Sequence, residues 1–224
     1  MLKYWQILNC QVKSTSYPDC YHGIENYSTQ ENLYLLCITP PSDIAFTIDQ
    51  ERRFCANKFG SYEVLKQPVH LPLFGVFTVP TMLYELTDYL SEWISVQPQF
   101  SVQIKDFGFF DNKHRPEVFV DVKNNVWLNA FNKGLTRKML QRFPYLNSAA
   151  SFHPHFTLAY KDLSQENFRK AKKYYQQCKF EASFDVKNIA LFRHNYKMWE
   201  FKHEFSLSPQ KVQGTGFVQK SLFA

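Results

Sequence analysis

Residues 69–77 read VHLPLFGVF, and residues 155–160 read HFTLAY. Each is a short, mostly apolar run around one histidine, a pattern that predicts a β-strand. Side chains alternate along a strand, so His155 and Thr157 should share one face while the residues between them point to the other. In the earlier stretch His70 matches His155, and Pro72 stands where Thr157 would be. The sequence therefore predicts two similar strands, each presenting a histidine on its polar face.

The elements around these two strands also repeat. The predicted order in the first half is a strand at 33–39, a helix at 42–57 capped by Ser42, the strand at 69–77, a helix at 80–96 and a strand at 100–110. The second half has strands at 116–122, 155–160 and 180–186, with helices capped by Asn124 or Asn125 and by Ser164, before a strand-rich remainder at 189–207 with a turn near Asn195. Equivalent residues of the two halves are separated by similar distances in the chain: Leu33 and Glu117 by 84 residues, His70 and His155 by 85, and Phe100 and Phe180 by 80. Three similar offsets indicate a duplicated strand-helix-strand-helix-strand unit.

This repeat predicts an α+β fold with two pseudo-symmetric lobes of antiparallel sheets and outer helices around a central cleft. We expect one domain over residues 31–224, with lobes at about 31–112 and 113–207, preceded by an extension at 1–30 that shows no clear period. Residues in equivalent positions of the two copies would then face each other across the cleft.

The composition is that of a globular protein. Of 224 residues, 45% are hydrophobic and 21% charged, which excludes disordered, collagen-like and low-complexity classes. No apolar run reaches the roughly 18 residues of a membrane span, so we expect no membrane partner. The start of the chain lacks a signal-peptide pattern, and the five cysteines are an odd number without a CxxC pair, so we expect reduced thiols and a cytoplasmic location.

The net charge of +6 favours an anionic partner, and the aromatic fraction of 17% offers rings for stacking on bases. The densest basic cluster is Arg169, Lys170, Lys172 and Lys173. It falls on a predicted amphipathic helix and is interpreted as a solvated face.

The paired histidines point to proton transfer. With an ordinary pKa of about 6.5, one imidazole of a pair can be neutral and the other charged near neutral pH, which supplies a general base and a general acid without a metal. His153 and His155 could instead form an HxH metal pair, but no further ligand stands at a suitable spacing. A purely structural role for His70 and His155 is the remaining alternative.

The motifs HLPL at 70–73 and HFTL at 155–158 resemble the paired H-φ-[ST]-φ elements of the two-histidine (2H) phosphoesterase superfamily, which includes the 2′-5′ RNA ligase and 2′,3′-cyclic phosphodiesterase proteins. The resemblance covers residues 33 to about 207. It implies a monomer without cofactor or metal that acts on RNA or a nucleotide carrying a 2′,3′-cyclic or 2′-5′ phosphodiester. His70 and His155 would be the catalytic acid and base, in either order, and Thr157 would donate a hydrogen bond to a phosphate oxygen. Phe74 and Tyr160, beside the motifs, could stack a base, although such rings on apolar strands are more often core.

Pro72 departs from this motif. Proline has no hydroxyl and no backbone N–H, so the first motif lacks the phosphate donor of the second. It is also disfavoured inside a sheet and indicates a bulge or an edge strand. Either Thr78 or Lys66 supplies a substitute donor, or the domain is a weak enzyme or a binder of RNA or nucleotide phosphate without turnover. An interaction protein with neither property is a third class.

Overall fold

The computed structural model describes residues 32–143 and 152–211, so the predicted N-terminal extension lies outside the described residues. Within those ranges the strands are β1 (Asn32–Ile38), β2 (Leu71–Thr78), β3 (Pro98–Phe110), β4 (Glu117–Val122), β5 (His155–Ala159), β6 (Glu181–Val186), β7 (Asn188–His194), β8 (Trp199–Ser206) and β9 (Ser208–Lys211). The helices are α1 (Ser42–Phe59), α2 (Leu83–Ile94), α3 (Val126–Arg142) and α4 (Gln165–Tyr175), with short 3₁₀ helices at Glu63–Lys66 and Pro80–Met82.

The strands form two sheets. The first has the order β2-β1-β7-β8, and the second has the order β5-β4-β3-β6. All of these pairings are antiparallel, and β9 adds a short parallel pairing at the start of β3. This arrangement confirms the predicted α+β class with antiparallel sheets and outer helices.

Each sheet combines strands from both predicted lobes. β3 lies in the second sheet beside β4, because only residues 111–116 separate the two and a short connection favours antiparallel pairing. β7 follows β6 after Lys187 alone and returns to the first sheet, where it pairs with β1. The sheets therefore do not follow the predicted boundary between residues 112 and 113.

All four helices bury an apolar stripe against the sheets. The buried residues on these stripes are Ile48, Cys55 and Phe59 of α1, Leu86, Leu90 and Ile94 of α2, Leu128, Phe131, Leu135 and Met139 of α3, and Phe168, Ala171 and Tyr175 of α4. Burying one large apolar side chain contributes about 1.5–3 kcal/mol, so this layer is the main source of stability. β1 is buried on both faces, since Leu35 and Cys37 form a smaller apolar cluster on the face opposite to Leu36.

Two of the predicted helix caps are confirmed. The side chains of Asn125 and Ser164 accept hydrogen bonds from backbone N–H groups in the first turns of α3 and α4. The prediction for Ser42 is wrong: Ser42 is the first residue of α1, and Pro41 occupies the capping position without a side-chain bond. The preceding proline already stands in an extended conformation (φ −52°, ψ 155°), so it takes the flanking position that a serine cap would need.

β2 is an edge strand with a bulge, as Pro72 predicted. The register shifts between Leu36 and Cys37, which pair with Phe74 and Pro72 and leave Leu73 as the extra residue. The proline without an N–H is therefore accommodated where the pairing is already interrupted. β5 is also an end strand, and β2 and β5 contact each other where the two sheets meet.

Three of the cysteines, Cys37, Cys55 and Cys178, lie in the described part of the chain as free thiols, whereas Cys10 and Cys20 lie outside it. Among the described helices, none combines the length and apolar character needed to cross a membrane.

Candidate active site

The two histidine motifs lie on the strands that join the sheets. His155 is the first residue of β5, and His70 immediately precedes β2. Because these end strands contact each other, the two motifs come together although 85 residues separate them in the chain. We call this line of contact the β2–β5 seam.

The local geometry of the two motifs is duplicated. Nδ1 of His70 lies 2.7 Å from the carbonyl oxygen of Pro68, and Nδ1 of His155 lies 2.7 Å from the carbonyl oxygen of His153, so each ring donates to the residue two positions earlier. Both strands are also bulged three residues after the histidine, at Leu73 and at Leu158. In both motifs the backbone therefore fixes the ring and turns Nε2 away from its own strand.

His155 has an acceptor at each ring nitrogen. Nε2 lies 3.1 Å from Oε1 of Glu117, and Nδ1 faces the carbonyl of His153. A carbonyl and an ionised carboxylate only accept, so both nitrogens must carry protons and the ring is an imidazolium. Burial opposes this charge, but the hydrogen bond and the negative charge of Glu117 outweigh it and raise the pKa of His155 above 6.5.

His70 is in the opposite state. Its residue is only 9% exposed, and within the described ranges Nε2 has no hydrogen-bond partner. Burial lowers the pKa of His70 to about 4; the bond to Pro68 offsets part of this effect, and the positive charges of Arg52 and His155 add to it. His70 is therefore neutral near pH 7, with its proton on Nδ1 and a lone pair on Nε2.

The strand register explains this difference. On β4, Phe119 pairs with Thr157, and Glu117 lies two residues earlier on the same face. On β1 the matching position to Phe119 is Cys37, which pairs with Pro72, and the matching position to Glu117 is Leu35. A carboxylate therefore faces His155 from the neighbouring strand, whereas the corresponding position beside His70 is apolar. The two motifs thus have the same backbone geometry, but their histidines lie in different electrostatic environments.

Arg52 of α1 donates hydrogen bonds to the backbone of both motif regions. Its residue is 1% exposed; Nε donates to the carbonyl oxygen of Thr157 at 2.9 Å, and Nη1 donates to that of Gln67 at 3.1 Å. One bond holds β5, and the other holds the segment that leads into His70. Burial lowers the pKa of Arg52 to about 10, so the guanidinium keeps its charge near pH 7.

Comparison with known families agrees with this geometry. The model of the 2′-5′ RNA ligase superfamily matches residues 40–197, a range that contains both motifs. The chain belongs to this superfamily. Among curated proteins, no significant match to the sequence is found.

Solved structures with the fold of the superfamily are similar over most of the chain. TT0787 of Thermus thermophilus has a TM-score of 0.62 and 17% identity, covering 80% of this chain and 99% of that one. LigT of E. coli, crystallised with 3′-AMP, has a TM-score of 0.59 and 19% identity with the same coverage. A structure described as a phosphoesterase has a TM-score of 0.54 and 18% identity, covering 79% and 99%. At these identities the likeness shows a common fold.

Of the three predicted substrate-binding residues, Thr157 and Tyr160 lie at or near the seam, whereas Phe74 lies in the core. Thr157 lies in the site, where its hydroxyl donates to Oε1 of Glu117 at 2.6 Å. Tyr160 is partly buried near it; burial, followed by the charges of Glu63 and Glu117, raises the pKa of Tyr160 to about 12, so its hydroxyl stays protonated. Phe74 belongs to the hydrophobic core with 7% exposure, which matches the core alternative and leaves little of its ring for stacking.

Neither substitute donor suggested for Pro72 is placed in the site by the structure. Thr78 is buried at the far end of β2 and pairs with Asn32. Lys66 forms a salt bridge with Glu63, and its side chain is 70% exposed. The first motif therefore contributes a histidine at the seam without a hydroxyl of the kind that Thr157 supplies.

Sequence reasoning missed Glu117, Arg52 and the aromatic side chains around the histidines. The ring of Phe119 lies 4.6 Å from that of His155, and the ring of Trp199 lies 6.4 Å from that of His70. Glu117 had one usable signal: it starts a strand with an apolar centre, on the face that the repeat would turn toward the motif. Arg52 had none, since a lone arginine on a helix is usually exposed.

The alternative of an HxH metal pair receives no support from the neighbouring groups. Nε2 of His153 lies 3.0 Å from Oδ1 of Asp121, whereas His155 turns to Glu117. Among the described residues, no cluster of three or more His, Cys, Asp or Glu side chains is arranged to hold a metal ion.

Proposed function

We propose that this protein is a phosphodiesterase acting on a 2′,3′-cyclic or 2′-5′-linked ribonucleotide end, with His70 as general base and His155 as general acid. The observation that carries the proposal is the different hydrogen bonding of two equivalent histidines at one seam: Nε2 of His155 faces Glu117, whereas Nε2 of His70 has no partner among the described residues. A free lone pair on Nε2 of His70 and a proton on Nε2 of His155 are the two groups that general acid–base hydrolysis needs at the same pH.

These two groups account for both proton transfers of the hydrolysis. Nε2 of His70 removes a proton from water, and the water oxygen forms a bond to phosphorus. The bond between phosphorus and the departing ribose oxygen breaks, and His155 transfers its Nε2 proton to that oxygen. His70 ends protonated and His155 neutral, and proton exchange with solvent restores both. Each proton transfer contributes about 10²- to 10⁴-fold to the rate.

The phosphate oxygens need donors in addition to the histidines. The hydroxyl of Thr157 donates to Oε1 of Glu117, at a position that a phosphoryl oxygen of the substrate would take. Nε2–H of His155, which donates to the same carboxylate oxygen, would turn to the departing ribose oxygen. Superfamily membership supports this class of ligand, and LigT, with the same fold, has been crystallised with 3′-AMP and with phosphate. Tyr160 is proposed to contact the substrate beside this position.

A second candidate is a domain that binds RNA or nucleotide phosphate without turnover. Pro72 favours this alternative, because loss of one oxyanion donor typically lowers the rate by about 10²- to 10³-fold. The neutral and protonated histidines favour catalysis, since a pure anion-binding site would gain from two charged rings.

The deciding experiment is hydrolysis of adenosine 2′,3′-cyclic phosphate by the full chain. We expect turnover by the natural protein and at least a 10²-fold loss for His70→Ala and for His155→Ala, measured by separation of the 2′- and 3′-monophosphate products. His114→Ala is the matched control, since His114 is exposed on the β3–β4 connection. Binding without turnover in the natural protein would instead establish the second candidate.

A further inference from the structure

Glu117 occupies the anion position of the site. Its Oε1 accepts from Nε2 of His155 at 3.1 Å and from the hydroxyl of Thr157 at 2.6 Å. Under the proposed function the first donor serves the departing ribose oxygen and the second serves a phosphoryl oxygen, so the substrate takes both donors from Glu117. Because carboxylate and phosphoryl oxygens are both anionic acceptors, the protein's own side chain and the ligand compete for one place.

A displaced Glu117 cannot move its charge far from the ligand. It is the first residue of β4, which lies between β5 and β3, and its backbone pairs with Phe110. Its side chain is 22% exposed, so little water screens it. The carboxylate therefore remains within a few ångströms of any bound phosphate.

The charge of the ligand then matters. A phosphodiester carries one negative charge, whereas a phosphomonoester with a second pKa of about 6 carries nearly two above neutral pH. Repulsion by the retained carboxylate acts on each ligand charge, and at such a distance one extra charge changes affinity by about tenfold or more. The other carboxylate on this face of β4, Asp121, is paired with His153.

We infer that Glu117 determines specificity by charge: it makes the site favour singly charged phosphodiesters over doubly charged phosphomonoesters. This inference rests on the proposed function, because it concerns the ligand of the same site. Ring opening of a cyclic diester produces a monoester that the same carboxylate repels, so the product binds more weakly than the substrate. Glu117 thus favours release of the product.

The test compares two ligands that differ in one charge. 2′-Deoxyadenosine 3′-monophosphate and its methyl ester lack the 2′-hydroxyl needed to form a cyclic phosphate, and their binding can be measured by calorimetry at about pH 7.5, where the monoester is mostly doubly charged. The variants are Glu117→Gln, which removes the charge, and Glu117→Asp, which keeps it on a shorter side chain. Glu63→Gln is the control, because it removes a carboxylate of the 3₁₀ helix before His70 that is paired with Lys66 and Lys161.

We expect Glu117→Gln to raise the ratio of monoester to diester affinity about tenfold or more. The bound phosphate of either ligand replaces Glu117 as the anion that keeps His155 protonated, so the lower pKa of His155 in the free variant affects both ligands and not their ratio. Glu117→Asp and Glu63→Gln should keep the natural ratio. An equal change for both ligands in Glu117→Gln would overturn the inference and leave the proposed function standing. Failure of the natural protein to bind either ligand would overturn the proposed function and this inference with it. If Glu117→Gln does not fold, a changed ratio in Glu117→Asp overturns the inference, and an unchanged ratio supports it.

Discussion

Nε of Arg52 donates a 2.9 Å hydrogen bond to the carbonyl oxygen of Thr157, so a buried positive charge lies against the backbone of the second histidine motif. The same guanidinium binds the carbonyl of Gln67, three residues before His70. One side chain of α1 thus fixes both halves of the site relative to each other. This contact joins parts of the chain that lie 105 and 15 residues from Arg52.

Arg52→Lys should therefore destabilise the protein. A lysine ammonium cannot reach both carbonyls in the fork geometry of a guanidinium, and a buried unpaired carbonyl costs about 1–3 kcal/mol. We expect the free energy of unfolding to fall by that amount in a urea titration. Arg53→Lys is the control: Arg53 is exposed and paired with Asp49 one turn away, so it should change stability by less than about 0.5 kcal/mol. Equal effects of the two substitutions would contradict this role of Arg52.

The two histidines predict the pH profile of kcat/KM. His70 must be deprotonated, and its pKa is lowered to about 4; His155 must be protonated, and its pKa is raised above 6.5. Activity should rise through about pH 4 and fall only above pH 6.5. Glu117→Gln removes the charge that raises the pKa of His155, so its alkaline limb should shift to lower pH. An unchanged alkaline limb in this variant would contradict the assignment of His155 as the general acid.

Pro72→Thr should increase the rate of hydrolysis. By the matching bulges and pairings, position 72 corresponds to Thr157, so the new hydroxyl should supply a second phosphate donor. We expect an increase of about tenfold or more in kcat, measured with adenosine 2′,3′-cyclic phosphate. Pro72→Val has nearly the same shape as the threonine variant without the hydroxyl and serves as control. If valine and threonine give the same rate, the missing donor does not limit the reaction.

Gly108 makes room for the ring of Phe119, which contacts His155. A Cβ at Gly108 would overlap this ring, and the two residues pair directly across β3 and β4. Gly108→Ala should therefore cost about 1–3 kcal/mol by overpacking and displace the ring. In a Phe119→Leu background the same change should cost much less. Thermal unfolding of the natural protein, the two single variants and the double variant measures this difference. Additive effects would mean that the clash is relieved elsewhere.

His70 should make the fold sensitive to acid. Its pKa falls from 6.5 in the unfolded chain to about 4 in the folded protein, so the unfolded state takes up the proton more readily. The free energy of unfolding is therefore unaffected by His70 above pH 6.5 and falls as the pH decreases toward 4. At about 1.4 kcal/mol per pH unit, the loss over this range is about 3 kcal/mol. The difference in unfolding free energy between the natural protein and His70→Gln, measured from pH 7 to pH 4, should show this loss. Parallel curves for the natural protein and His70→Gln would refute the buried neutral ring.

Much of the fold could be predicted from local patterns. The apolar runs located β1, β2, β4, β5 and β6 to within about two residues, and Asn125 and Ser164 marked the starts of α3 and α4. Pro72 predicted both the bulge and the edge position of β2, because a missing N–H has the same consequence in any sheet. These features depend on neighbouring residues alone.

The exchange of strands between the sheets could not be predicted in the same way. β3 leaves its own repeat to pair with β4, and β7 returns to β1. A repeat in the sequence specifies which segments are alike, but pairing depends on which edges are free in three dimensions.

The amino-acid sequence by itself determined the duplicated motifs, the histidines at 70 and 155, the α+β class and the missing hydroxyl at position 72, because each depends on residue type and spacing. Only the tertiary structure decided which histidine is charged. That property depends on the burial of His70, on Glu117 facing His155 from the next strand, and on the apolar Leu35 in the matching position beside His70. The buried charge of Arg52 adds to the effect of burial on His70. Electrostatic energies act through space and vary with burial, so the sequence distance between these groups carries no information about them.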